Sequence, residues 1–447
     1  MSIRVSSLPG RPNLLLGAYD LATLGYGAEE FFVSGTAASY ANEDRADFTT
    51  RIVVCRPTDK ATFNGTVIVE WLNVSGGIDA PAVWFMAHRE ITRAGYAYVA
   101  VSAQRVGIEG GVSLVAADMS LKALDPECYS RLHHPGDAFS YDIYSQVGRL
   151  VRDGGIDGLE PEFMLAVGES QSAAFLTTYI NVVDADAAIY DGFLVHSRFG
   201  NAAPLDDTSI FEETDVVLRV VPFRSDPRVP AVTVITETDL IGGFRVGYHA
   251  ARQPDSDRLR TWEIPGAAHA DNYTIGVGFI DDGSAPLEAI VAAYAPTSEL
   301  MGTQLSYCIN FAPQHHYVVQ AAIASLNTWV RIGEPAPTVA PIALTDGDPP
   351  QLVLDANGLA EGGVRTPWVD VPIAKTSGMA PDESPMSFIF GSGEMFDFQT
   401  LSKLYPRGAT DYLERFTVAL DTAIGAGFIL PADRTEILEL AAASYPD

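Results

Sequence analysis

The chain has 447 residues, 47% of them hydrophobic and 19% charged, a composition that can bury a sizeable core and excludes global disorder. Its 28 Lys and Arg against 57 Asp and Glu leave a net charge of −29. That field repels phosphate backbones and anionic lipid, so nucleic-acid and membrane-surface roles are set aside.

The first twenty residues hold only a three-leucine run, too short for a signal-peptide core. No apolar stretch approaches the roughly 20 residues that cross a bilayer. The expectation is a cytoplasmic protein. Cys55, Cys128 and Cys308 show neither CxxC nor Cys/His spacing, so neither disulfides nor a zinc or iron–sulfur site is expected.

Short β-branched runs predict strands at 51–56, 66–71, 96–102, 163–167, 192–196, 231–236 and 260–264. Several are continuously apolar, as strands covered on both faces must be. Helical patterns at 82–94, 141–152 and 172–183 alternate with them, and a longer one follows at 317–332. This alternation predicts an α/β fold with a mostly parallel central sheet flanked by helices. Long segments at about 107–139, 197–228 and 271–313 read as lid or cap insertions. Their Phe211, Phe223, Tyr273, Phe279, Tyr294 and Tyr307 suit either a partly apolar substrate pocket or the packing of the loops themselves. The body therefore spans 1–332. A Pro-rich stretch, 333–350, reads as a linker, and 351–447 as a C-terminal extension with helices at 409–425 and 431–443.

In parallel sheets, reacting groups collect beyond the carboxyl ends of the strands. Strand 163–167 runs into Gly168-Glu169-Ser170-Gln171-Ser172, and a helix pattern begins at once. Strand, Gly-x-Ser-x-small and helix together form a nucleophile elbow, which exposes a serine hydroxyl on a strained turn. Gly168 keeps the −2 position small, and Ser172 stands where a second glycine is usual. As the first helical residue, Gln171 offers its backbone N–H to an oxyanion.

A serine hydroxyl needs a histidine to take its proton and a carboxylate to orient that histidine. Downstream, strand 231–236 leads into Glu237-Thr238-Asp239, and strand 260–264 leads into a Gly-containing loop with His269. Asp239 is preferred as the acid, and Glu237 is the alternative. Among eight histidines, His269 alone combines the chain order Ser, acid, His with a place just past a strand. His196 ends a strand and reads as a satisfied supporting group. The pairs His133-His134 and His315-His316 lack metal-helix spacing and read as loop or lid residues. The loop after strand 66–71, with Gly76 and Gly77, is the place for a second oxyanion donor: Val74 N–H, or less favourably Asn73 N–H.

With these pieces, the chain resembles a bacterial family of serine esterases with the α/β-hydrolase fold. The resemblance runs through GYGAEEFFVSGTA (25–37), VEWLNVSGG (69–77), VSAQRVGIEG (101–110), HPGDAFSYDIYSQ (134–146), GESQSA (168–173), TETD (236–239), PGAAHAD (265–271) and GLAEGGVRTPWVDVP (358–372). It implies Ser170 as nucleophile, His269 as base and a C-terminal section packed on the body, and it leaves Asp239 against Glu237 open. The expected function is a carboxylic-ester hydrolase acting on a small-molecule ester without metal or organic cofactor. The same triad would serve a lactonase, an amidase or an acyltransferase. The reading of another class is a catalytically silent binding scaffold.

Overall fold

Side chains alternate along each central strand, and both faces are apolar. In β4 (Thr66–Trp71), β5 (Ala97–Val101) and β6 (Phe163–Glu169), the residues Val67, Val69, Trp71, Val99, Val101, Met164 and Ala166 pack into one core. Ile68, Tyr98, Ala100, Leu165 and Val167 pack into another on the opposite face. The twofold period of a strand assigns them so. The structure is a computed structural model that describes residues 3–114, 118–211, 218–243, 245–381 and 385–446.

Helix α1 (Ala82–Arg93) covers one face, and α2 (Ser140–Arg152) and α3 (Gln171–Thr178) cover the other. Helix α1 has no capping side chain of its own. Buried Glu70 of β4 reaches across instead and accepts Val83 N–H at 2.8 Å and Trp84 N–H at 3.0 Å. Those are two of the amides that a helix start leaves without acceptors.

The described residues form one sheet of nine strands, with β1 (Arg4–Leu8), β2 (Tyr26–Ala38) and β3 (Arg45–Pro57) at one edge. At the other edge follow β7 (Gly192–His196), β8 (Ala231–Thr236) and β9 (Leu259–Ile264). The order is β1-β2-β3-β5-β4-β6-β7-β8-β9. From β5 onward every pairing is parallel, whereas β1, β2 and β3 pair antiparallel. The sequence reading missed β1 and β2 and shortened β3. The cause is visible in β2, whose sequence YGAEEFFVSGTAA breaks its apolar residues with Gly, Glu, Ser and Thr and leaves several of them only partly buried, so no long apolar run marks it.

Helix α4 (Glu237–Ile241) follows β8, and α5 (Gln314–Ile332) backs the sheet beside α1. Residues 333–350 lie along β9: Trp262 Nε1 donates to Pro337 O at 2.8 Å, and Ile342 N donates to Glu263 Oε2 at 2.7 Å. Beyond them, the hairpin of β10 (Ala374–Ser377) and β11 (Ser392–Met395) packs near the carboxyl end of β8. Helices α6 (Ala409–Gly425) and α7 (Arg434–Ser444) share a small core with Tyr317 of α5. Parts of the expected cap insertions, residues 115–117 and 212–217, lie outside the described residues, as do 382–384 of the C-terminal section. No helix among the described residues is long and apolar enough to cross a membrane.

Candidate active site

Five chain crossings converge at one end of the parallel strands. Ser170 follows β6, His196 ends β7, Asp239 follows β8, His269 follows β9, and Asn73 follows β4. Ser170, His269, Glu169, Gln171, Asn73 and His196 all line a single cavity of about 620 Å³.

The turn from β6 into α3 holds Ser170 at a positive φ. Ser170 has φ 57° and ψ −116°, a conformation that L-residues hold only under constraint and that is stored at functional sites. Its N–H is tied to His196 O at 2.9 Å. A Cβ on Gly168 would stand 3.0 Å from Leu176 Cδ1 and 3.2 Å from the Ser172 backbone, so the −2 position must stay small. Ser172 takes the place of the second glycine for a reason. Its hydroxyl donates to Glu169 O at 2.8 Å and accepts Glu169 N–H at 3.0 Å, fastening the turn from within.

The two candidate acids separate cleanly in space. Asp239 Oδ1 accepts from His269 Nδ1 at 2.6 Å, while its Oδ2 accepts from Thr236 N at 2.8 Å and Thr236 Oγ1 at 2.7 Å. Glu237 does not reach the imidazole. Its carboxylate accepts Gly266 N–H at 2.6 Å and, from the C-terminal section, Gly378 N–H and Ser377 O–H, both at 2.8 Å. Burial raises the Glu237 carboxyl, against those donors. Thus one acidic side chain orients the ring and the other staples the loop that carries it.

His269 is 9% exposed, under the ring of Phe199 at 5.5 Å. Burial alone would push its pKa down. The charge and hydrogen bond of Asp239, with help from Glu169, outweigh burial and hold the imidazole at about 9. Its other nitrogen, Nε2, has Glu169 Oε1 at 3.4 Å. Burial lifts the Glu169 carboxyl to about 7, with His269 opposing and Asp239 reinforcing. Ser170 and His269 share the cavity wall but no hydrogen bond.

The loop after β4 is tied down by hydrogen bonds and an ion pair. Asn73 and Ala80 exchange N–H···O bonds at 3.0 and 2.8 Å, and Asp79 is held by buried Arg51 at 2.6 Å. The Asn73 N–H is therefore spent, and its side-chain amide goes to Glu169 O at 3.1 Å and Glu169 Oε2 at 3.0 Å. Val74 N–H faces Gln171 Oε1 at a long 3.4 Å. That leaves Val74, with the first amide of α3 at Gln171, better placed than Asn73 N–H to receive an anion.

Two readings of the histidines need correction. His315 and His316 are not lid residues; they lie buried in the first turn of α5. The sequence hid this because residue 314, the helix start, follows Pro313 with no capping side chain. His196 is not satisfied either: Nε2 meets His315 Nε2 at 2.8 Å, but Nδ1 has no hydrogen-bond partner among the described residues.

The rest of the cavity wall is mostly apolar, with Ser75, Asn201, Arg245 and Thr274 as further polar residues. Of the six aromatic residues picked from the insertions, Phe211 and Phe279 reach it. Phe85, Phe199, Ile275, Ile389 and Phe390 were not anticipated. The last two come from the C-terminal section, whose Ile389 O also accepts Ala270 N–H at 2.8 Å.

A parallel-centred sheet with a serine on a strand-to-helix turn and an Asp–His pair beyond its strand ends is the arrangement of the α/β-hydrolase class. A family model described as an alpha/beta hydrolase domain matches residues 5–439, and the chain belongs to that family. No curated protein matches it. Among solved structures it is similar to esterases from Rhizomucor miehei, at 11% identity over 68% of this chain and 84% of the other, with a TM-score of 0.30. It is also similar to the Pyrococcus furiosus esterase Pf2001, at 10% identity over 56% and 86%, TM-score 0.30. A Klebsiella pneumoniae protein provisionally named a dienelactone hydrolase aligns at 13% identity over 59% and 95%, TM-score 0.32.

Proposed function

We propose that this chain is a serine hydrolase that cleaves carboxylic esters through an acyl-enzyme. The observation that carries the reading is the Asp239–His269 contact of 2.6 Å on Nδ1. It commits that nitrogen to the proton and leaves Nε2 as the base in the cavity that Ser170 lines. Ser170 Oγ attacks the ester carbonyl as Nε2 takes its proton, forming a tetrahedral oxyanion. The proton then passes to the leaving alcohol, and the acyl group remains on Ser170. Water attacks the acyl carbonyl with Nε2 again as base, and the acid departs.

The oxyanion is held by the backbone N–H groups of Gln171 and Val74, where it displaces the Gln171 side-chain oxygen from its long contact. The hydrogen bond from Ser170 Oγ to Nε2 is one that forms as substrate closes the site, as is common for such contacts. The apolar walls suit an uncharged, partly apolar ester.

Ser170→Ala is expected to abolish turnover of short p-nitrophenyl esters and labelling by a fluorophosphonate while leaving the fold intact. Turnover surviving in that variant, or a folded wild-type protein that resists the fluorophosphonate, overturns the reading.

A further inference from the structure

Two exposed apolar side chains belong to the cavity that Ser170 and His269 line. Met301 is 72% exposed and Leu114 is 50% exposed, and both contribute to its wall. Isolated apolar residues are ordinary on a protein surface. These two stand where an apolar cavity meets solvent, and the backbone ties each to a different part of the site. Leu114 N–H donates to Ser75 O at 2.9 Å, on the loop that carries Val74. Met301 is at the tip of a hairpin in which Glu299–Leu300 pairs with Thr303–Gln304. The base of that hairpin is fixed beside His269, since Leu300 is buried in a small core with Ala270 and Phe390.

The turn itself does not explain a methionine at its tip. Met301 and Gly302 are the two central residues, with φ of 49° and 80°. Positive φ at both positions is the pattern of a type I′ turn, which favours Asn-Gly, Asp-Gly and Gly-Gly. Methionine is strained there, and such strain is kept mostly where a function needs the side chain. Its unbranched, polarizable thioether adapts to a flexible partner.

The cavity is also larger than a small ester needs. At about 30 Å³ per heavy atom, ethyl acetate fills roughly a third of its 620 Å³. Phe85, Met86, Phe279 and Ile389 give much of the remaining wall a hydrocarbon surface. Resting on the ester-hydrolase reading, we propose that the substrate is an ester with one long, flexible aliphatic arm, and that Leu114 and Met301 bind the far part of that arm where the cavity opens. The arm is either the acyl chain or the alcohol, since both present the same hydrocarbon to the wall.

The test measures kcat/KM along two series of esters, kept below the concentrations at which they aggregate. One runs from p-nitrophenyl acetate to the dodecanoate, the other from methyl to dodecyl butyrate. In one of them kcat/KM is expected to rise with length, by up to about four-fold for each methylene fully buried and by about ten-fold or more overall. Met301→Asn suits the turn better than the native residue. Its thermal midpoint should hold or rise, while the long-to-short ratio of kcat/KM falls by about three-fold or more. The loss should appear in KM, because the arm is held equally in the ground and transition states. Leu114→Ser should lower the same ratio, and the double variant should lower it further.

If the wild-type protein turns over no ester and Ser170 takes up no fluorophosphonate, the hydrolase reading itself fails. If short esters react but kcat/KM stays flat along both series, or the long-to-short ratio survives in the double variant, only the assignment of the arm is overturned. A Met301→Asn protein with a lowered thermal midpoint and all chain lengths slowed alike also overturns it, because Met301 would then serve the fold.

Discussion

Replacing Asp239 by Asn isolates what the carboxylate does for the imidazole. Asn is nearly isosteric, and its oxygen can still accept from Thr236 N–H, which binds Asp239 Oδ2 at 2.8 Å. The amide NH₂ then faces His269 Nδ1, which must become an acceptor, and the ring proton moves to Nε2. The nitrogen that should receive the serine proton is thereby occupied. Raising the imidazole from 6.5 to about 9 favours its protonated form by about 3 kcal/mol. Burial opposes that gain, so the carboxylates supply more than the net. Loss of most of it in the step where the imidazolium forms predicts a fall in kcat/KM of about 10²-fold, and up to about 10⁴-fold if the wrong tautomer dominates. The assay is hydrolysis of short p-nitrophenyl esters, with circular dichroism to verify the fold. Glu237→Gln is the comparison, since that side chain touches the loops and not the ring; it should lower the thermal midpoint more than the rate constant. A correctly folded Asp239→Asn protein within about five-fold of wild type would refute the assignment, because that is only about a third of the smallest free energy expected.

The other expectations concern the elbow, the second carboxylate and the C-terminal section. Glu169→Gln removes a charge 3.4 Å from His269 Nε2. The imidazole pKa should drop, so the neutral base persists to lower pH and the acid limb of the kcat/KM profile moves in the acid direction; an unmoved or alkaline-shifted limb contradicts this. Ser170→Gly relieves a positive φ of 57° and should raise stability in chemical denaturation by about 1 kcal/mol while eliminating turnover; a destabilised variant would mean that the turn holds little strain. A Cβ at Gly378 would meet Thr238 N at 2.5 Å and Ala267 O at 2.7 Å. Gly378→Ala should therefore push the C-terminal section off the loops of Asp239 and His269 and reduce kcat, although residue 378 lies outside the cavity lining. Wild-type kcat in that variant would show that the section does not hold the two loops in place.

Much of this was written locally. Buried parallel strands are continuously apolar, so β4, β6, β7 and β8 could be read off, and Ser170 and Asp239 came with two of them; His269 came with the more polar β9, expected at 260–264. The half-exposed β2 lacked that signal, and so the antiparallel edge was invisible. Competition between Asp239 and Glu237 could not be resolved in one dimension, because both lie within three residues of one strand end. The direction of a side chain there depends on what stands opposite, and for Glu237 that is Gly378, 141 residues away. The same holds for the His196–His315 pair, 119 residues apart, and for Ile389 and Phe390, which close a cavity whose floor lies more than two hundred residues earlier. Sequence determined which groups could react and at which strand ends they stand. Only packing decided which of them touch, since a contact is fixed by the tertiary surroundings of both partners and local periodicity records only one.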